Sequence, residues 1–454
     1  MEYGLIGAQL SQSCSPRLHK LLAGYSYRLV PLETPEKARE FLLNREYKGL
    51  NVTIPYKRLA CQLCDELDEG AKATGTVNTV VNRSGRLYGY NTDISGFAAL
   101  ACHAGVEFAG RTVLILGTGG TSHTVQAYAR AAGAKELLVA SRNPKDGTIS
   151  YDQAKTRQDV EILVNTTPVG MYPNNDQCPI DPALFPNLKG VLDAVYNPLR
   201  SRLVSEAQEL GIPAEGGLYM LVAQAAGAVR HFTGWEPEAS RVDRVYRQLC
   251  FENSNIVLVG MPSCGKSSIG RRLARWMSRP FADADRILEA AEGMTIPKYF
   301  ESYGEAQFRK CEAFHIARIA AEKGQVIACG GGVVETKENI TALRRNGVVV
   351  FIDRPLWGLK TGGHRPLSTS VEALRRMEQR RRPWYEQAAD IRVENAAGDF
   401  KGAACAAEEA VYAYFGLKRP EFKSSGPART GSLRKNRLSG TARADRSRSR
   451  KTRR

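Results

Sequence analysis

Two periodicities alternate along this chain. Short apolar runs that end in glycine or in polar, loop-forming residues fall at 4–7, 51–54, 76–81, 112–116, 136–140, 255–259 and 326–329. Segments 164–171 and 191–198 each open as a strand and close in a polar loop. Between these runs, apolar residues recur three and four apart: Val125, Tyr128, Ala129 and Ala132; Val242, Val245, Tyr246 and Leu249; Ile269, Leu273, Trp276 and Met277. The runs predict buried strands and the wider spacing predicts helices, which together make an α/β protein with parallel sheets. A helix is expected to begin near Gly96, with Asp93 just ahead of it in a capping position. The pattern changes at Arg111, where a strand, glycine turn, helix and strand follow without interruption, and it ends around Trp235, Glu236 and Pro237. Residues 238–253 read as a connecting helix, after which a second strand-first pattern starts.

Composition adds little to this picture, and charge adds one thing. At 454 residues, 43% apolar and 24% charged, the chain has the make-up of an ordinary globular protein of about three domains. No apolar run approaches the roughly 20 residues of a membrane span. The first 13 residues lack a basic region and a long apolar core, so no signal peptide is expected and the cytoplasm is. The ten cysteines are scattered; Cys61 and Cys64 form one C-x-x-C without the second pair or histidines of a zinc site, as in a reduced protein. Of the net charge of +17, residues 418–454 carry +12, with 14 Lys and Arg against Glu421 and Asp445. The tail has almost no large apolar residues and is expected to be disordered. Its charge suits nucleic acid or another polyanion, and equally a solvated extension without a partner; both readings stay open.

The most specific chemistry lies at Gly260 to Ser267, GMPSCGKS, which fits G-x-x-x-x-G-K-[ST] between a predicted strand and a predicted helix. That context turns the loop's backbone N–H groups and a helix N-terminus toward a polyphosphate, with Lys266 for the outer phosphates and the Ser267 hydroxyl for Mg2+. Further on, Asp283 and Asp285 stand two apart on a segment read as extended, hence on the same side, one for Mg2+ through water and one for a substrate hydroxyl. Arg309 is placed on a helix with Glu312 one turn on as an ion-pair partner. Gly330, Gly331 and Gly332 end a buried strand with backbone that a ligand can approach closely. His364 and Arg365 lie in a polar segment containing glycine, and Arg381 precedes Pro383.

In the first half, a serine-dense loop (Ser11, Ser13, Ser15) follows the opening strand, and Lys57 follows Pro55 at the edge of an expected cleft. The turn Gly117-Thr118-Gly119-Gly120 sits between strand and helix of a βαβ unit, the arrangement that meets a dinucleotide pyrophosphate. The second strand of that unit ends in Ser141-Arg142 where an acid would bind a ribose 2′-hydroxyl. Arg142 suits a 2′-phosphate, which favours NADP over NAD.

The segments SQSCSP, NVTIPYK, TVNTV, YNTDISG, GTGG, SRN, NTTPVGM, DAVYNP and GGLYMLVAQAA, in this order, resemble shikimate dehydrogenase over about residues 1–237. The resemblance implies a substrate part at about 1–100 and 216–237 and a Rossmann-type NADP-binding part at about 101–215. It implies that Ser13, Ser15, Thr53, Asn78, Asp93 and Gln224 contact substrate, that Lys57 and Asp93 are the catalytic pair, and that Gly117, Gly119, Gly120, Arg142, Met171 and Gly217 meet the cofactor. A lysine held by an aspartate makes chemical sense, since reducing a ketone leaves an alkoxide that needs a proton and positive charge. Thr118 and Thr121 depart from the family's alanines, and the interval from Arg142 to Asn165 is short, so a peripheral element is expected to be trimmed.

Residues 254–417 resemble shikimate kinase, a P-loop parallel-sheet fold. The resemblance implies ATP on Gly260, Pro262, Ser263, Cys264, Gly265, Lys266, Ser267, Ser268 and Arg365, and Mg2+ on Ser267 and Asp283. It implies shikimate on Asp285, Arg309, Gly331, Gly332 and Arg381, with Asp285 orienting the hydroxyl and Arg365 acting from a lid. The lid segment 357–364 is short and carries Thr361, Gly362 and Gly363 where basic residues are usual. Together the halves imply NADPH-dependent reduction of 3-dehydroshikimate to shikimate, then its phosphorylation to shikimate 3-phosphate. A dehydrogenase half of broader quinate or NAD use, and a regulator built from inactive copies of these domains, are the rival readings.

Overall fold

In the computed structural model, which describes residues 2–11, 13–145, 147–360, 370–396 and 398–420, the strands form three sheets. Arg365, with the rest of 361–369, and the tail from 421 lie outside the described residues.

The first sheet is mixed. Its strands β1 (Tyr3–Gly7), β2 (Tyr27–Pro31), β3 (Gly49–Val52), β4 (Glu66–Leu67), β5 (Thr79–Arg83) and β6 (Arg86–Tyr90) run in the order β2-β1-β3-β5-β6-β4. β1 pairs parallel to β2 and β3, whereas β5 is antiparallel to β3 and β6. The second sheet comprises β7 (Thr112–Leu116), β8 (Glu136–Ser141), β9 (Ile149–Ser150), β10 (Ile162–Asn165), β11 (Gly190–Asp193) and β12 (Ala214–Glu215). All its pairs are parallel, in the order β12-β11-β10-β7-β8-β9. The third sheet, β13 (Asn255–Val259), β14 (Phe281–Asp283), β15 (Val326–Ala328), β16 (Gly347–Asp353) and β17 (Ile391–Glu394), is also parallel, in the order β14-β15-β13-β16-β17. β7, β10, β11, β13 and β16 are buried at every residue, because helices cover both faces.

β7 and β13 each sit where the order of their sheet reverses. Both glycine turns therefore leave the carboxyl end of a strand at a switch point, where the flanking loops diverge and leave a crevice.

Three local expectations are corrected. The helix expected from Gly96 starts earlier, at Thr92–His103, and Asn91 caps it by accepting the Asp93 N–H at 3.0 Å; Asp93 stands in the first turn. The strand expected over 76–81 begins only at Thr79. Asp283 ends β14 and Asp285 lies in the first turn of the helix Ala284–Glu292, so the two are not on one extended segment. Arg309 lies on a helix and pairs with Glu312 as expected; that helix, Ile296–Ala321, breaks at Gly304 (φ 76°, ψ 170°), which leaves Arg309 on its second part.

The helix Ala239–Asn253 is no free linker. Its Val242, Val245 and Leu249 pack with Leu18 and Leu22 of the first half, while Phe251 belongs to the core around β13. Among the described residues between Arg142 and Asn165, the two-residue β9 and the helix Tyr151–Lys155 precede β10. Among the described residues, no helix is long and apolar enough to cross a membrane.

Candidate active sites

The first site forms where the helix Thr92–His103 meets the helix Leu218–Thr233. They approach closely because Gly96 has no side chain: a Cβ there would lie 2.9 Å from Gln224 Cβ and from the Met220 carbonyl. This crossing brings residues distant in sequence into one network. Lys57, first residue of the helix Lys57–Leu63, donates to Asp93 Oδ2 at 2.6 Å. Asn78 Nδ2 reaches Asp93 Oδ1 at 2.8 Å and Gln224 Oε1 at 3.2 Å. The Asn78 carbonyl oxygen Oδ1 in turn accepts the Thr92 N–H (2.9 Å) and the Thr79 hydroxyl (3.1 Å). Asn78 is thus saturated and cannot rotate without breaking several bonds, which fixes Asp93 Oδ1, while Lys57 holds Oδ2. The Lys57 side chain keeps 26% exposure against 12% for Asp93, so the ammonium faces outward from a buried acid.

Ser13 and Ser15 form their own hydroxyl pair at 3.1 Å beyond β1. Thr53 follows β3, where Gly7 makes room for it: a Cβ at position 7 would fall 2.4 Å from Thr53 Cγ2. On the second sheet, Gly117 adopts φ +100°, which favours glycine, and Gly119 and Gly120 open onto free space at the start of the helix Gly120–Ala131. Arg142 lies exposed just past β8, and Met171 is exposed on the loop after β10. Gly217 is packed, since a Cβ there would meet the Ala194 carbonyl at 2.3 Å. At the end of β11 Asp193 is fully buried and accepts from Ser201, Asn165 and the Val195 N–H; burial pushes its carboxyl up to about 7 against those donors.

The second site is a cleft of about 730 Å³ above the third sheet. Pro262, Ser263, Gly265, Lys266, Ser267, Ser268, Asp283, Asp285, Arg309, Gly331, Gly332 and Arg381, all anticipated, line it. Cys264 differs: its side chain is wholly buried, and its carbonyl accepts from Asn395 Nδ2 at 2.9 Å. Gly260 (φ +142°) lies under the loop against the Ile352 carbonyl. Lys266 folds back over the loop, donating to the Gly260 and Met261 carbonyls at 2.8 and 3.0 Å.

Each glycine after β15 admits a different partner. A Cβ at Gly330 would sit 2.6 Å from Asp285 Oδ1, one at Gly331 2.8 Å from Pro262, and one at Gly332 2.3 Å from Arg309 Nη1. The strand end is therefore the seam along which phosphate loop, acid and arginine meet. Arg309 is held by Glu312 (2.8 Å), Glu305 (3.0 Å) and Glu335 (2.7 Å). Arg381, 2% exposed, pairs with Glu335 at 2.8 Å. Burial alone would raise the Glu335 carboxyl, but Arg381, Arg309 and Arg380 outweigh it and hold it below the usual range. Burial pushes Glu312 up, against the pull of Arg309.

The family model of the shikimate dehydrogenase substrate binding domain matches residues 5–80, and that of shikimate kinase matches residues 262–406. A shikimate dehydrogenase (NADP(+)) of Clostridium perfringens is 33% identical over 264 residues, covering 54% of this chain and 97% of that protein. The corresponding protein of Rubrobacter xylanophilus is 36% identical, with 53% and 93% covered. The chain belongs to the shikimate dehydrogenase family.

Among solved structures, a chorismate mutase/shikimate 5-dehydrogenase fusion protein from Clostridium acetobutylicum is similar at TM-score 0.51 and 33% identity, covering 54% of this chain and 96% of that one. The Thermus thermophilus shikimate 5-dehydrogenase, solved in complex with NADP(H) and shikimate, is similar at TM-score 0.50 and 30% identity, with 55% and 99% covered. Shikimate dehydrogenase likeness thus accounts for the first half, and the shikimate kinase match for the second. Sequence reasoning missed Glu335, which clamps Arg309 and Arg381 together; its only signal is a place three residues after Gly332. Thr92 was missed as well, for want of any signal but its neighbour Asp93.

Proposed function

We propose that this chain catalyses two consecutive steps, reducing 3-dehydroshikimate with NADPH and then phosphorylating the shikimate formed with ATP. It divides, on this reading, into a dehydrogenase at 1–237, a connecting helix and a kinase at 254–417. The observation that carries the reading is the Lys57–Asp93–Asn78–Gln224 network standing in one chain with the Lys266–Asp285–Arg309–Arg381 cleft.

In the first site, the left-handed Gly117 and the open Gly119 and Gly120 at a helix N-terminus fit a pyrophosphate, and the exposed Arg142 fits a 2′-phosphate. Bound there, NADPH supplies the hydride. Lys57 then gives a proton and positive charge to the carbonyl oxygen, while Asp93, held at both oxygens, keeps the ammonium aimed. Ser13, Ser15, Thr53, Asn78 and Gln224 offer hydroxyl and amide groups suited to the ring hydroxyls and carboxylate.

In the second site, Lys266 exchanges its loop carbonyls for phosphate oxygens. Ser267 and Asp283, both lining the cleft, suit Mg2+, which would neutralise phosphate charge. Asp285 accepts the proton of the attacking hydroxyl, and Arg309 and Arg381 hold the substrate carboxylate. All ten cysteines are free thiols, which suits a reducing compartment, and we place the enzyme in the cytoplasm.

The test is a two-stage assay on the full chain: NADPH oxidation with 3-dehydroshikimate, then ADP and shikimate 3-phosphate after ATP and Mg2+ are added. Lys57→Ala should abolish only the first signal and Lys266→Ala only the second. Binding of shikimate without either turnover would overturn the proposal.

A further inference from the structure

Outside both sites, one cluster of side chains has no part in the chemistry above. Cys311 and His315 lie one turn apart on the same face of the second part of the helix Ile296–Ala321, and Glu292 ends the helix Ala284–Glu292 beside them. One ligand atom from each of the three falls within 4.8 Å of the others. His315 is buried at 5% exposure, and its Nε2 stands 2.9 Å from Glu292 Oε1.

We propose that Glu292, Cys311 and His315 form a binding site for a divalent transition-metal ion of the zinc class. Sulfur, imidazole nitrogen and carboxylate oxygen are the donor set that such an ion takes, with a fourth position left for water. A tetrahedron with metal–ligand bonds of about 2.0–2.1 Å has an edge of about 3.3 Å. Nε2 and Oε1, now 2.9 Å apart, need to part only slightly to span it, while the sulfur draws in. Calcium and magnesium, which prefer all-oxygen shells, are a poor match. Coordination takes the Cys311 thiolate, so one proton leaves as the ion binds and affinity rises with pH.

The position gives the ion a consequence. Glu292 lies seven residues after Asp285 on one helix, and Cys311 two residues after Arg309 on the other. An ion there ties together the two helices that bear substrate contacts and closes the segment 293–310 between them. That consequence rests on the kinase reading, whereas the metal site does not.

The test uses the full chain stripped with chelator and titrated with Co2+, whose absorption reports sulfur ligation directly. One equivalent should bind with a sulfur-to-metal charge-transfer band, and Zn2+ should displace it. Cys311→Ser should abolish the band, and Glu292→Gln and His315→Gln should each weaken binding about tenfold or more, as lost ligation does. A Cys61→Ser/Cys64→Ser double variant should leave the band intact. A band that survives Cys311→Ser, or that disappears with Cys61 and Cys64, overturns the site, as does failure of Co2+ to saturate at one equivalent. X-ray absorption on the unmutated Zn2+ form decides independently of how the variants fold. One sulfur at about 2.3 Å with nitrogen or oxygen neighbours is expected, and no sulfur or two sulfurs refutes it. If the metal site stands while Zn2+ leaves the KM for shikimate unchanged, only the consequence for the kinase falls.

Discussion

Gly332→Ala isolates a single contact. Gly332 lies at φ −97°, ψ 0°, which an alanine adopts, so backbone strain is not introduced. The added methyl would meet Arg309 Nη1 at 2.3 Å, Nη2 at 2.5 Å and Cζ at 2.7 Å. To restore a van der Waals contact of about 3.5 Å the guanidinium must withdraw by roughly 1 Å. Glu312, Glu305 and Glu335 already hold it, so withdrawal strains those pairs as well. A charge-assisted bond to a substrate carboxylate at about 2.8 Å does not survive a 1 Å retreat. Its loss is worth about 1.5–3 kcal/mol, or roughly a 10- to 150-fold rise in KM for shikimate. The assay is ADP formation against shikimate concentration, with NADPH oxidation by the same preparation as the folding control. KM for ATP should hold within about twofold, since the atoms nearest the added methyl belong to Arg309, whereas Pro262 of the phosphate loop packs on Gly331. In an Arg309→Ala background the same substitution should cost less than about 0.5 kcal/mol, because the three atoms nearest the methyl all belong to the removed guanidinium. An unchanged KM for shikimate, or a full effect without Arg309, would refute the reasoning.

Asp93→Asn keeps shape but removes the charge that aims Lys57, and should lower the dehydrogenase kcat by about 10²- to 10⁴-fold with kinase turnover unaffected. Steady-state NADPH oxidation checks it. Arg142→Ala should raise KM for NADPH about tenfold or more and leave KM for NADH nearly unchanged, as expected for a guanidinium lost from a 2′-phosphate. His19, buried against Tyr27 with Nδ1 2.6 Å from the Tyr25 hydroxyl, is held down to about 3 by burial, outweighing its bond to Asn51. The unfolded chain takes this proton as pH falls below about 6.5 and the folded chain does not, so stability drops between about 6.5 and about 3. The slope from this group is at most about 1.4 kcal/mol per pH unit, and urea unfolding of His19→Gln should show a shallower loss over the same window.

What the amino-acid sequence determined by itself is the local, backbone-built chemistry. The phosphate loop 260–267 and the turn 117–120 are consecutive residues between a strand and a helix, and their function resides in main-chain N–H groups whose geometry the glycines dictate. Such sites need little from the rest of the molecule, and they were legible with their flanking elements. Side-chain constellations are different, because they depend on which faces of which elements meet. Asn78 and Gln224 are 146 residues apart and touch only because Gly96 lets two helices close upon each other. Asp93 had the outward look of a cap until the helix was seen to begin at Thr92, which turns its carboxylate to Lys57. Glu335 has no local signal and gains its role only when β15 sets Gly332 beneath Arg309 and the helix Val371–Ala388 brings Arg381 to the same carboxylate. The grouping of Glu292 with Cys311 and His315 was invisible for the same reason. Periodicity tells which residues turn inward, whereas the packing of helices on sheets decides which of them become neighbours.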